Sequence, residues 1–98
     1  MLNSKVLFVG LGRMGFHMSS HLSKNKKVDL YIHNRTEAIE KKWLKLFSGI
    51  KYHFEDDIKF DFIITCLKDD SAVDLVTKKI LQIGCFKKTT VFIDHSTI

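Results

Sequence analysis

The chain has 98 residues, 45% of them apolar and 28% charged, with a formal net charge of +5. That length supports one core and leaves no room for a second domain, and the balance of apolar and charged residues excludes a disordered chain. No apolar run approaches the ~20 residues that cross a bilayer and no signal-peptide pattern precedes the first strand, so a cytoplasmic chain with no membrane partner is expected.

Strand-like apolar runs alternate with helical stretches along the whole sequence, which is the pattern of parallel strands joined by crossover helices. Lys5 to Val9 is short, β-branched and aromatic, and breaks into glycines; it is read as the central strand. Met14 to Lys24 follows at a loose helical spacing. Val28 to His33 is a second strand, stopped by Asn34, Arg35 and Thr36, and Thr36 is placed to cap a helix running to about Phe47, with Gly49 placed to end it. Ile50 to His53 reads as a brief third strand and Phe54 to Lys59 as an irregular acidic link.

Phe60 to Leu67 is nearly continuously apolar, as in a strand buried on both faces of a parallel sheet. Asp69, Asp70 and Ser71 are placed to cap a helix whose Val73, Val76, Ile80 and Ile83 share one face, and Gly84 stops it. Thr90 to Ile93 is the last strand, followed by Asp94 to Ile98. The expected fold is an α/β Rossmann-type doubly wound parallel sheet, strand order 3-2-1-4-5, in one domain over residues 1–98. The chain stops directly after its last strand, which suggests a domain boundary or truncation at Ile98.

Gly10-Leu11-Gly12-Arg13-Met14-Gly15 is G-x-G-x-x-G between a strand and a helix, the context in which that motif holds a dinucleotide. The first glycine permits the tight turn, the second leaves no Cβ between backbone and pyrophosphate, and the third lets helix and sheet approach. The pyrophosphate then meets unpaired N–H groups at the positive end of the helix dipole. These six residues are therefore cofactor-binding candidates.

In the NAD form of such sites a carboxylate about 20 residues on bonds the ribose, whereas an Arg accommodates the 2′-phosphate of NADP. Here Asn34, Arg35 and Thr36 end the second strand without a carboxylate, so NADP is favoured over NAD: Asn34 for the ribose, Arg35 for the 2′-phosphate, and Thr36 for a hydroxyl and a helix-terminal N–H.

The lysines lie in scattered groups such as Lys41, Lys42 and Lys45, not in one stripe with interleaved aromatics, so no nucleic-acid partner is expected. Cys66 and Cys85 lack metal-ligand spacing and disulfide density and are read as reduced thiols. His17, His21, His33, His53 and His95 are read as spread over separate elements, and no metal site is expected.

Four segments together resemble the β-hydroxyacid dehydrogenase family, the group of 3-hydroxyisobutyrate dehydrogenase and tartronate semialdehyde reductase. They are Phe8 to Gly15 with Met18 and Leu22 after it, Asn34-Arg35-Thr36, Ile64 to Val73, and Asp94-His95-Ser96-Thr97-Ile98. The resemblance spans essentially the whole chain and implies an N-terminal NAD(P)-binding domain of a longer oxidoreductase. That enzyme would act on a small hydroxy acid or its semialdehyde and form homo-oligomers through a helical second domain. It further implies that Cys66, Leu67 and Lys68 neighbour the cofactor, that Ser96 bonds the substrate carboxylate, and that Thr97 lies near the nicotinamide. The family's catalytic lysine stands on a later helix, so no catalytic residue is expected here and this chain alone should be inactive. The alternatives are an imine reductase, a 6-phosphogluconate dehydrogenase-like enzyme, and a non-catalytic NAD(P)-sensing module.

Overall fold

The computed structural model describes residues 3–68 and 70–95. In chain order these form β1 (Ser4–Val9), α1 (Arg13–Ser23), β2 (Val28–His33), α2 (Glu37–Leu46), β3 (Ile50–Lys51), β4 (Phe60–Thr65), α3 (Asp70–Ile83) and β5 (Phe86–Asp94). The strands make one sheet in the order β3-β2-β1-β4-β5, and each neighbouring pair is parallel. The expected Rossmann-like, doubly wound topology is therefore the observed one.

The period of two along β1 divides the core. Val6 and Phe8 face a cluster with Leu11, Leu30, Ile32, Trp43 and Ile64, while Leu7 and Val9 face Tyr52, Phe54, Phe60, Ile63, Ile80 and Cys85. Phe16, Met18 and Leu22 of α1 and Ile39 and Leu44 of α2 close over the first cluster; Val76 and Ile80 of α3 close over the second. A strand buried on both faces reads as an unbroken apolar run, which is why Val6 to Val9 shows no alternation.

On the first face, α1 and α2 meet at Trp43, which is fully buried. Its Nε1 donates to Ser19 Oγ at 2.8 Å, and that hydroxyl donates in turn to the Gly15 carbonyl at 2.7 Å. Gly49 does not end α2 through a left-handed turn: Phe47 closes the helix in an extended conformation, its N–H bonded to the Trp43 carbonyl. What Gly49 supplies is space, because a Cβ there would lie 2.5 and 2.7 Å from two carbons of the Trp43 ring.

Other differences from the sequence-based expectations have local causes. Thr36 caps α2 without a side-chain hydrogen bond. Regular β3 pairing stops at Lys51 because the chain turns inward, burying Tyr52 and Phe54. β5 starts four residues earlier than expected: Phe86 pairs with Phe60, pairing shifts register, and it resumes with Phe62 opposite Val91. Thr90 Oγ1 anchors that irregularity, accepting from Lys87 N–H at 2.8 Å and donating to the Phe60 carbonyl at 2.6 Å. Ile80 is buried but Ile83, in the turn where Gly84 (φ 72°) ends α3, is 39% exposed. Asp69, expected to cap α3, lies outside the described residues.

The Gly49–Trp43 contact predicts that Gly49→Ala destabilises the fold by about 1–3 kcal/mol through overpacking. Urea denaturation followed by Trp43 fluorescence measures it; an unchanged midpoint would show that the ring moves aside freely.

Candidate cofactor-binding site

The carboxyl ends of β1, β2 and β4 converge on the glycine turn. Gly10 has φ 104°, and a Cβ on it would collide with the Cys66 carbonyl oxygen. Its N–H is bonded to the His33 carbonyl at 2.9 Å, and Cys66 N–H to the Val9 carbonyl at 2.8 Å, so the turn is pinned to both neighbouring strands. Gly15 meets the turn from above: a Cβ there would collide with the Gly10 carbonyl and approach Cys66 Cβ to 3.3 Å.

Gly12 differs from both. It caps α1 with φ −66° and ψ −173°, makes no side-chain cap hydrogen bond, and a Cβ built on it would meet no protein atom within 4 Å. The α1 ladder begins with Phe16 N–H to the Gly12 carbonyl at 2.7 Å. The N–H groups ahead of it have no partner in the helix, and α1 has no acidic residue in its first turn. Open space, orphan donors and the positive end of a helix dipole together fit a pyrophosphate. Arg13 and Met14 sit exposed on this first turn, and Leu11 is buried beneath it.

Asn34 stands at the end of β2 as expected, but its side chain is engaged within the protein. Oδ1 accepts from Leu11 N–H at 2.8 Å and Nδ2 donates to the Thr36 carbonyl at 3.1 Å, so Asn34 ties the glycine turn to the start of α2. Arg35 and Thr36 are exposed beside it.

No carboxylate stands in Asn34-Arg35-Thr36, as read from the sequence, but one reaches the end of β2 from α2. Glu40 reaches back from α2 and is 2% exposed; its Oε2 accepts from Asn34 N–H at 2.9 Å, and its Oε1 lies 3.5 Å from Lys51 Nζ. Spacing from the glycines cannot find it, because it arrives from the helix instead of the strand; its position on the helix face shared with Ile39 and Trp43 was the available signal. Glu40 thus fixes the backbone of the turn that presents Arg35. Beside it a cavity of about 310 Å³ is lined by Arg35, Glu37, Lys51, His53 and Lys79, among others.

His33 lines the same cavity. Its Nδ1 donates to the Tyr52 carbonyl at 3.3 Å, and its ring meets Phe54 edge-on at 4.7 Å. Burial pushes its pKa below the ordinary 6.5; the Tyr52 carbonyl and Glu40 pull the other way without reversing the shift.

On the other side of the turn, Cys66 and Leu67 border Gly10, and Lys68 follows them, exposed. Burial, with the Asp94 charge, pushes the Cys66 thiol up, which suits a packing residue and not a nucleophile. Thr65 Oγ1 donates to Asp94 Oδ1 at 2.9 Å, joining the carboxyl ends of β4 and β5. Ser96 and Thr97 lie outside the described residues. The structure thus gathers Gly10 to Gly15, Asn34, Arg35, Thr36, Cys66, Leu67 and Lys68 along one edge of the sheet, where folds of this topology bind ligands.

Residues 5–98 match the family described as the NAD binding domain of 6-phosphogluconate dehydrogenase. The chain is 32% identical over 97 residues to an uncharacterized oxidoreductase of Shewanella frigidimarina (strain NCIMB 400), covering 96% of this chain and 33% of that protein. A putative oxidoreductase from Mycobacterium avium 104 superposes with a TM-score of 0.81 at 23% identity over 98% of this chain and 34% of its own. Mycobacterium tuberculosis 3-hydroxyisobutyrate dehydrogenase, solved with L-serine, gives 0.73 at 23% identity over 99% and 33%. The chain spans about a third of the length of these proteins.

Two outcomes follow from the β2 edge. Asn34→Ala leaves Leu11 N–H without its acceptor and costs about 1–3 kcal/mol in urea denaturation; an unaltered midpoint would show that the bond does not hold the turn. The folded chain keeps His33 neutral where the unfolded chain takes up a proton, so this contribution is whole above pH ~6.5 and is lost as pH falls through the lowered value. The loss of stability between pH 7.5 and 5.5 is therefore expected to be smaller in His33→Gln, and an equal loss in both would contradict it.

Proposed function

The chain belongs to the family of the NAD binding domain of 6-phosphogluconate dehydrogenase, and from that premise we propose that it binds NADP(H) as the cofactor domain of an oxidoreductase acting on a small hydroxy acid or its semialdehyde. The observation that carries the cofactor reading is Gly12, whose missing Cβ opens the N-terminus of α1 to the pyrophosphate. The bound nicotinamide supplies the hydride acceptor or donor.

The chain's own residues bind and orient. The first-turn N–H groups of α1 hold the pyrophosphate, and Arg35 pairs with the 2′-phosphate in a charge-assisted hydrogen bond. Asn34 acts on cofactor binding through the turn it fastens, since its side-chain amide is bonded at both ends. Glu40 does not take the ribose, because it is buried and bonded to Asn34 N–H. Arg35 is the exposed cation directly after β2, which supports NADP over NAD. Cys66, Leu67 and Lys68 line the nicotinamide side, and Ser96 and Thr97 contribute to the substrate carboxylate and nicotinamide contacts.

On this reading the substrate carbon would exchange a hydride with a bound nicotinamide, and a lysine carried by a further domain would donate the proton to the carbonyl oxygen in the reductive direction. This chain alone then binds cofactor without turnover. Localisation in the cytoplasm and homo-oligomer formation through that further domain belong to the same proposal. Among the described residues no helix is long and apolar enough to cross a membrane. A second reading, an enzyme acting on 6-phosphogluconate, draws support from the family's description; the Ser96-Thr97 pair after β5 favours the first.

Calorimetric titration with NADPH and with NADH, on the wild type and on Arg35→Ala, tests the proposal. Charge-assisted bonds of about 1.5–3 kcal/mol predict that NADPH binds ~tenfold or more tightly than NADH, and that Arg35→Ala removes the difference. Equal affinities untouched by the substitution would overturn the NADP reading, and binding of neither would overturn the cofactor reading itself.

A further inference from the structure

His17 and His21 stand four residues apart on α1, not on separate elements. Both are exposed, Nε2 of one lies 3.3 Å from Nε2 of the other, and the rings are 4.7 Å apart between centroids. The opposite side of the helix is fixed. Phe16 meets Phe47 edge-on at 5.8 Å, and Ser19 accepts from Trp43. The two imidazoles therefore share one solvent-facing strip on a helix that is held in place.

Their separation is a chelating one. Two imidazole nitrogens, each bound at ~2.0–2.1 Å to a tetrahedral ion, stand ~3.3–3.4 Å apart. As the pair stands, one nitrogen donates to the other; a divalent ion takes both Nε2 lone pairs when each neutral ring carries its proton on Nδ1. Imidazole donors select borderline transition ions over magnesium and calcium, which require oxygen. We propose that His17 and His21 form a chelating site for a divalent transition ion of the zinc class, bound through both Nε2 atoms with water in the remaining positions.

Among the described residues no group of three or more His, Cys, Asp or Glu is placed to hold a metal ion. The site therefore has two protein ligands and exchanges its ion readily, unlike a closed structural zinc centre. An ion bridging these positions braces one turn of α1, the helix whose other end carries the glycine turn, and so stabilises the fold by binding it in preference to the unfolded chain.

The test is titration of the untagged chain with zinc chloride by calorimetry, with magnesium chloride as comparison. One zinc per chain is expected, with no response to magnesium, and His17→Ala and His21→Ala each weaken binding by ~tenfold or more. His53→Ala, which removes an exposed histidine away from α1, retains the wild-type affinity. Zinc raises the melting temperature of the wild type and of neither α1 variant, with far-UV circular dichroism reporting that each variant is folded. Absence of binding at millimolar zinc, or zinc affinity and thermal response unchanged in both α1 variants, overturns the proposal.

Discussion

At Gly10 and Gly15, where β1 turns into α1, no side chain fits, and the rest of the site depends on that constraint. Gly10 lies against the Cys66 carbonyl with its own N–H bonded to the His33 carbonyl, and Gly15 lies against the Gly10 carbonyl. Only a chain without Cβ atoms at these two points brings β1, β2, β4 and α1 this close. The result is a helix N-terminus held at the centre of the sheet edge, with its orphan donors facing the opening above Gly12.

The second strand supports this arrangement by a chain of hydrogen bonds. Glu40 accepts from Asn34 N–H, and Asn34 Oδ1 accepts from Leu11 N–H. A buried carboxylate on α2 therefore helps to set the backbone of the glycine turn and of the turn that carries Arg35. Lys51 from β3 balances its charge at 3.5 Å, and Glu37, at 3.8 Å from the same ammonium, lies at the exposed end of the network. Cofactor preference, on the proposed function, rests on a rigid frame and not on a mobile arginine alone.

The alternation of apolar runs and helical spacings was enough to read the topology, because the inner parallel strands are buried on both faces and each crossover must cover one of them. The glycine turn was legible for a similar reason: Gly10 and Gly15 are required by backbone collisions, and backbone demands leave a fixed spacing. What sequence concealed was what depends on packing between elements. Glu40 reads as an ordinary helix-surface acid until α2 docks. Gly49 reads as a helix terminator until Trp43 is seen against it. Thr90 holds a register shift that no local pattern announces, and the polar Lys87 and Lys88 hid the first part of β5. Asn34 was placed correctly, but its partners could not be read from spacing.

The central claim is that the opening above Gly12 is kept free for the pyrophosphate. Gly12→Ala tests it, because the new Cβ meets no protein atom and the backbone there is open to any residue. Measured together, the melting curve and the NADPH affinity separate fold from site. The account predicts a stability within ~1 kcal/mol of the wild type and an NADPH affinity reduced ~tenfold or more. A variant that binds NADPH as tightly as the wild type would contradict it.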